Sequence, residues 1–293
     1  MAFEKKRYKL VKRIKDDHLS VDRLHEYRLC LQFGERDIQV CIIDMPNSRC
    51  LLLEDYISPT SDKGKLQTIP EIFEGHSFLQ AGFWHSVRVS IKTPRFVLVP
   101  VSLFDKEQKA TYLHLNAELD PEKDSLLHYI HQNNETVTVF AANKWLTNFL
   151  KEMYATTDLG FIHQGAALTE GTLEDETMAH SRTMYLYSDR FYLNILVSEG
   201  KSLVYYNQFL IKRFEDYVKY IMMVLQSMGL DQHDDHVYLR GFIRQDSPHY
   251  RELFKYIQNL EFAHKPGFLT FGYQFDELED HQYYDLYSMS LCR

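Results

Sequence analysis

The sequence predicts an α/β protein of two halves, each running β-β-β-α-β-α, with mixed sheets covered by helices. Three observations predict it. Tyr27 to Gly34 (YRLCLQFG), Asp37 to Asp44 (DIQVCIID) and Arg49 to Tyr56 (RCLLLEDY) are short β-rich runs separated by turn residues. The same triplet returns in RTMYLYS from Arg182, RFYLNILV from Arg190 and KSLVYYNQF from Lys201. After each triplet, strand patterns alternate with helical spacing.

The first three runs show alternation or a continuous apolar stretch, and the joints Glu35-Arg36 and Met45 to Ser48 are short enough for hairpins. They form an antiparallel meander. Beyond them, helical patterns cover Ile69 to Leu79, Ser102 to Leu115 and Ala142 to Met153, the last with Trp145, Leu146, Phe149, Leu150 and Met153 on one side. Strand patterns lie between them at Ser86 to Ile91, Arg95 to Val99, Leu126 to His131 and Thr136 to Phe140. The first half thus has more strands than the second, as an inserted subdomain would produce. In the second meander Phe191, Leu193, Ile195 and Val197 make one apolar face. Phe214 to Met228 keeps helical spacing, and Gly229 stands where a C′ residue belongs. HVYLRGFI from His236 reads as a buried strand. Ser247-Pro248 opens a last helix as N-cap and N1, with Tyr250, Leu253, Phe254, Ile257 and Leu260 as its core stripe. Ser58 to Lys65 and Asn116 to Lys123 are the clearest loops. The division that follows is a basic arm over 1–26, a first lobe over 27–178 and a second over 179–293.

Composition narrows the function. Hydrophobic residues make up 45% and charged residues 25% of 293, which excludes disordered and fibrous classes. Forty-one acidic against thirty-three basic residues leave a net charge of −8, so nucleic acid is not the expected partner. No apolar run reaches the length of a membrane span, and the start is charged rather than signal-like, so membrane insertion is not expected and a cytoplasmic location is. Lys5, Lys6, Arg7, Lys9, Lys12, Arg13 and Lys15 read as the solvated face of the arm. Cys30, Cys41, Cys50 and Cys292 show no CxxC pairing and read as buried reduced thiols.

Two such halves in tandem resemble the actin, Hsp70 and sugar-kinase superfamily, a duplicated actin-like (ribonuclease H-like) fold. The stretch SVRVSIKTPRFVLVPVSLFD, Ser86 to Asp105, is similar to a family of Bacteroidota proteins, domain of unknown function 3822, through Leu98-Val99-Pro100 and Leu103-Phe104-Asp105. VFAANKWLTNFL from Val139 and FIHQGAAL from Phe161 match as well, and the resemblance extends from about Tyr27 onward. It implies an actin-like ATPase fold without a settled function.

In actin-like ATPases an Asp-x-Gly follows the first strand of each meander, and a Gly-Gly pair near the adenosine follows a later strand. Glycine lets backbone N–H groups approach phosphate oxygens, while the aspartates position metal and water. Here Gln32 stands where the first aspartate would, and only Gly34 survives. Glu35 follows it and would repel a phosphate by about 1 kcal/mol per charge in water at about 4 Å. The second hairpin, Tyr187-Ser188-Asp189-Arg190, has no glycine, and Asp189 reads as a turn aspartate rather than a displaced metal ligand. At the adenosine motif one glycine, Gly241, replaces a pair, with Arg240 beside it able to stack on a base. The resemblance therefore implies a degenerate nucleotide site with Gly34, Gly241 and Arg240 as its vestiges.

Other constellations have plainer readings. Asp231 to His236 is rich in metal-ligand types but falls in a polar loop, so metal chemistry at His233 and His236 is the weaker idea. His128 and His131 lie on a strand that sends them to opposite faces. His163 and Gln164 either line a cleft or open a helix. The tyrosines Tyr185, Tyr187, Tyr192, Tyr205, Tyr206, Tyr283, Tyr284 and Tyr287 mark sheet packing or a contact surface. GxSxG, GxxxxGK[ST] and GxGxxG patterns are absent. The expectation is a non-catalytic protein without cofactor or metal, acting through a protein partner. The alternative is a nucleotide-binding protein or ATPase with an atypical site using Gln32, Asp189 and Arg240.

Overall fold

The computed structural model describes residues 8–58, 69–132, 136–175 and 182–293. Residues 59–65 of the first expected loop, Lys5 to Arg7, and the lobe boundary at 178/179 lie outside them. Strands β1 (Lys9–Lys15), β2 (Tyr27–Phe33), β3 (Asp37–Asp44), β4 (Arg49–Ile57), β5 (Ser86–Ile91) and β9 (Leu159–His163) build the first sheet. Between β5 and β9 come β6 (Phe96–Pro100), β7 (Asp124–Ile130) and β8 (Thr136–Asn143), with helices α2 (Lys109–Leu113) and α3 (Lys144–Met153). Helix α1 (Ile69–Glu74) follows β4, and α4 (Gln164–Glu174) follows β9. The rest comprises β10 (Thr183–Ser188), β11 (Tyr192–Glu199), β12 (Ser202–Leu210), α5 (Phe214–Met228), β13 (His236–Gly241), α6 (Pro248–Leu253), β14 (Leu260–Phe262), β15 (Thr270–Phe271) and α7 (Tyr284–Ser288).

The first sheet runs β1-β4-β3-β2-β5-β9, and the second runs β12-β11-β10-β13-β14. Within both, three antiparallel strands are extended by two strands parallel to the first of the three. The extra strands β6-β8-β7 form a separate antiparallel sheet, placed in the chain where the surplus of the first half was expected. Both meanders keep the expected strands because alternation and β-branched content act locally.

Helix ends follow their signals as well. Gly229 takes φ +64° behind α5, and the Ser247 Oγ accepts from the Tyr250 N–H at 3.1 Å. Three expectations need correction. The helix from Pro248 stops at Leu253: Phe254 is 57% exposed, and Leu260 pairs in parallel with Val237 as the start of β14. Ser102 to Leu115 breaks into two 3-10 turns and the short α2, the second turn capped by Asp105. Ile69 to Leu79 is helical only to Glu74, after which the chain turns at Gly75.

Three features were not expected. Lys9–Lys15 is an edge strand, paired antiparallel with β4, its basic side chains in or near solvent. Helix α4 is buried over Gln164 to Leu173, sandwiched against both sheets. The segment after β14 crosses back to the first sheet, where β15 pairs with Arg49 and Cys50 and α7 packs on α4. Gly171 makes that packing possible, since a Cβ there would lie 2.0 Å from Ser288 Oγ and 2.9 Å from Tyr284 Cε1. The largest apolar cluster joins Leu29, Leu31 and Val40 of the first sheet to Tyr185, Leu196 and Tyr238 of the second. All four cysteines are buried and free, with Cys41 and Cys50 sulfurs 3.5 Å apart on neighbouring strands.

Candidate functional site

The hairpins β2–β3 and β10–β11 face one another across the junction of the two sheets, and their charged side chains meet there. Asp37 opens β3, Lys92 follows β5, and Asp189 and Arg190 form the second hairpin's turn. The Lys92 Nζ donates to Asp37 Oδ2 at 2.7 Å and lies 3.2 Å from Asp189 Oδ2. Arg190 donates to Asp37 Oδ2 at 2.8 Å and to Asp55, which also accepts from the Tyr283 hydroxyl at 2.9 Å. The Arg36 guanidinium lies 5.4 Å over the Phe191 ring, so the two turns touch.

Below this layer Gln32 is fully buried. Its Nε2 donates to Gln39 Oε1 at 2.8 Å and to Asp285 Oδ2 at 2.7 Å, while its Oε1 accepts from Ser90 Oγ at 2.8 Å. Gln164 Nε2 donates to Asp285 Oδ2 at 2.8 Å and to Asp189 Oδ2 at 3.0 Å. The Tyr187 hydroxyl donates to Asp285 Oδ1. Burial raises the Tyr187 hydroxyl's pKa far above its ordinary value, with Asp285 and Asp189 adding to it, so the hydroxyl keeps its proton and donates it to Asp285.

Two cations serve four carboxylates in this knot. Burial alone would raise the Asp37 carboxyl, but Lys92 and Arg190 outweigh it and hold it below the usual range. Asp189 ends up raised: burial leads, Lys92 opposes it, and Asp37 and Asp285 reinforce it. Burial works against the Lys92 ammonium, yet Asp189, Asp37 and Asp285 raise its pKa and keep it charged.

The residues singled out from sequence for a nucleotide site lie at or beside this junction. Gly34 closes the first hairpin, its N–H donating to the Asp37 carbonyl at 2.9 Å, and a Cβ there would lie 1.9 Å from Asp37 Oδ1. Gly241 has φ +86°, and a Cβ would lie 2.2 Å from the Ser188 carbonyl oxygen. Arg240 is 1% exposed, its guanidinium 3.5 Å from the Tyr284 ring centroid and 4.7 Å from that of Tyr185, with Thr172 Oγ1 accepting at 2.7 Å. Asp189 does satisfy its own turn, accepting from the Arg190 N–H at 2.7 Å, but it also holds Lys92 and Gln164. Glu35 is exposed, at the rim of a cavity of about 410 Å³ between Tyr8, Ile91, Thr93, Asn143 and Tyr192.

His163 caps α4: its Nδ1 accepts from the Gly165 N–H at 3.0 Å and its Nε2–H donates to the Thr93 carbonyl at 2.8 Å. His131 is buried against Thr138 and Glu170, whereas His128 packs beside Phe104. Asp231, His233 and Asp234 are exposed, and among the described residues no group of three His, Cys, Asp or Glu is placed to hold a metal ion. Tyr185, Tyr187, Tyr206, Tyr283, Tyr284 and Tyr287 are buried, so most of the tyrosine excess is interior packing. Among the described residues no helix is long and apolar enough to cross a membrane.

Sequence reasoning missed Asp37, Asp55, Lys92, Arg190 and Asp285. A signal was present: each is a charge at the end of, or inside, a strongly apolar or aromatic run, as in SVRVSIK and YYDLY.

A family model described as protein of unknown function (DUF3822) matches residues 16–260. The chain belongs to this family. The match begins before, and ends short of, the span over which the sequence resembled it. A crystal structure from Bacteroides thetaiotaomicron VPI-5482, described as a protein with actin-like ATPase fold and unknown function, is 19% identical. It covers 94% of this chain and 99% of its own, with a TM-score of 0.79. The PilM–PilN type IV pilus biogenesis complex contains a chain with a TM-score of 0.57 and 11% identity, covering 90% of this chain and 97% of its own. The ethanolamine utilization protein EutJ from Carboxydothermus hydrogenoformans gives 0.50 at 10% identity, covering 96% and 93%. No curated protein matches. The family member thus has an actin-like ATPase fold.

Proposed function

We propose that this protein is a non-catalytic actin-like protein whose nucleotide cleft is filled by its own side chains and which acts by holding a protein partner. One observation carries the reading: the buried knot of Lys92, Arg190, Asp37 and Asp189 ties together the two hairpins that an actin-like ATPase would need to open around phosphates. Asp285 lies directly beneath it. A triphosphate brought here would meet four carboxylates and would have to break ion pairs already made in a buried place, where removing one partner costs about 3–5 kcal/mol.

The vestigial positions have uses within the chain. Gly34 leaves room for the Asp37 carboxylate, Gly241 lets β13 end against the second hairpin, and Arg240 already stacks on two tyrosines. This favours packing over nucleotide binding as the reason for their presence. A partner-holding role is supported by large apolar side chains exposed on the inserted unit, Leu103 at 69% and Leu115 at 84%. The fold itself is compatible with it, since one chain of similar fold belongs to the PilM–PilN complex.

Calorimetric titration of ATP with Mg²⁺ into the protein tests the reading, and the expected result is no saturable heat. Micromolar affinity that Gly34→Val abolishes would establish the opposite, an atypical nucleotide site with Gln32, Asp189 and Arg240. Affinity capture from cells, with mass spectrometry of what is retained, addresses the partner.

A further inference from the structure

The carboxylate of Asp285 belongs to neither hairpin and to no strand of either sheet, yet it sits where both sheets converge. It is fully buried and accepts four hydrogen bonds. Gln32 Nε2, from β2, reaches its Oδ2 at 2.7 Å, and Gln164 Nε2, from the start of α4, reaches the same oxygen at 2.8 Å. The Tyr187 hydroxyl, from β10, and the Leu286 N–H at 2.9 Å serve Oδ1. Neutral donors converging from several elements on two anionic oxygens are what a small bound anion would receive.

The helix that presents this group is fixed from several directions. The Arg28 guanidinium donates to the carbonyls of Ser290 at 2.6 Å and Cys292 at 2.8 Å, and Arg88 donates to Cys292 at 3.3 Å. On the other side the Tyr284 ring covers Arg240 of β13, and its hydroxyl donates to the Gly171 carbonyl at 2.8 Å. The position of Asp285 is therefore set by the first sheet, the second sheet and α4 together.

We propose that Asp285 is an internal ligand, a carboxylate that α7 inserts between the sheets so that Gln32, Gln164 and Tyr187 close on it and clasp the two lobes shut. The clasp rests on the reading that the cleft is filled from within. It adds the group that does the closing: lobe closure is built into the chain and needs no dissociable ligand.

Asp285→Ala tests this, because it keeps the β-carbon and removes only the carboxylate, a group that formate matches in charge and shape. Melting is followed in sodium formate and in sodium chloride at equal ionic strength. The variant is expected to melt below the wild type and to regain about 2 °C in formate over chloride, while the wild type shows no difference between the salts. An equal response of both proteins overturns the clasp.

Should the alanine variant not fold, the near-isosteric Asp285→Asn replaces it, with spin labels on cysteines introduced at Leu115 and Met223, one exposed position in each lobe. The native thiols are buried, which keeps labelling selective. One narrow distance distribution is expected with Asp285 and a broadened one with asparagine; identical distributions overturn the proposal. The failures are separable, because heat on ATP titration counts against the filled-cleft reading, whereas an unresponsive Asp285 variant counts against the clasp.

Discussion

His163 illustrates how much a single side chain does in this interior. Both ring nitrogens are committed, one to the α4 N-terminus and one to the Thr93 carbonyl, and the ring stacks on Phe96 at 4.4 Å. Burial pushes its pKa down to about 4, with the Thr93 carbonyl opposing the shift. Because the folded pKa lies below the ordinary 6.5, the unfolded chain takes the proton first as pH falls. The stabilisation is complete above 6.5 and is lost progressively down to about 4, by about 3 kcal/mol. His128, His249 and His281 are also lowered and add in the same direction, while Asp189, raised, works the opposite way at the acid end. His163→Asn keeps an acceptor for the cap and removes the titration. In urea melts its deficit relative to wild type should shrink by about that amount between pH 7 and pH 4; a deficit that stays constant would show that His163 does not carry the effect. The ring's role was half legible, since opening a helix was one of two readings of His163, while its burial was not visible. The Lys92–Asp189 pair was illegible for a related reason: its members are 97 positions apart, and only the fold brings them together.

At the level of elements, legibility followed locality. Strands of the two meanders announce themselves through alternation, and caps such as Ser247 and Gly229 through residue type. Helix α4 did not, because QGAALTEGTL is packed on all sides and so has no polar face to give a stripe. Strand β1 was hidden by its lysines, which read as an arm, although charged side chains and the shift in its pairing between Leu10 and Lys12 are common ways to blunt a free sheet edge. Within α4, Gly171 offers a sharp test. Alanine is the better helix former by about 1 kcal/mol, yet its methyl would press on Ser288 and Tyr284. Gly171→Ala should therefore destabilise by about 2 kcal/mol in urea unfolding. The double variant with Ser288→Gly should recover part of the loss, and a stabilised single variant would mean that α7 is free to move away.

For the whole molecule, the decisive feature is that the two large sheets share their interior. The largest apolar cluster takes residues from both sheets, α4 is buried between them, and the segment from Thr270 runs back to the first sheet after completing the second. Two sheets joined this way should melt as one. Scanning calorimetry is expected to give a single transition whose calorimetric and van't Hoff enthalpies agree; two resolved transitions would mean that the sheets are independent. The strands of the two sheets were readable because the triplet recurs, but nothing in the sequence announced that the final crossing would join the sheets. The buried thiols give this joining a clock. Cys30, Cys41, Cys50 and Cys292 belong to one cluster beneath the first sheet, and burial keeps the Cys30 and Cys292 sulfurs protonated and inert. Alkylation of any of them under native conditions must wait for the interior around it to open, so, with reagent fast enough to outpace reclosing, the rate at each thiol reports how often its own part of that interior breathes.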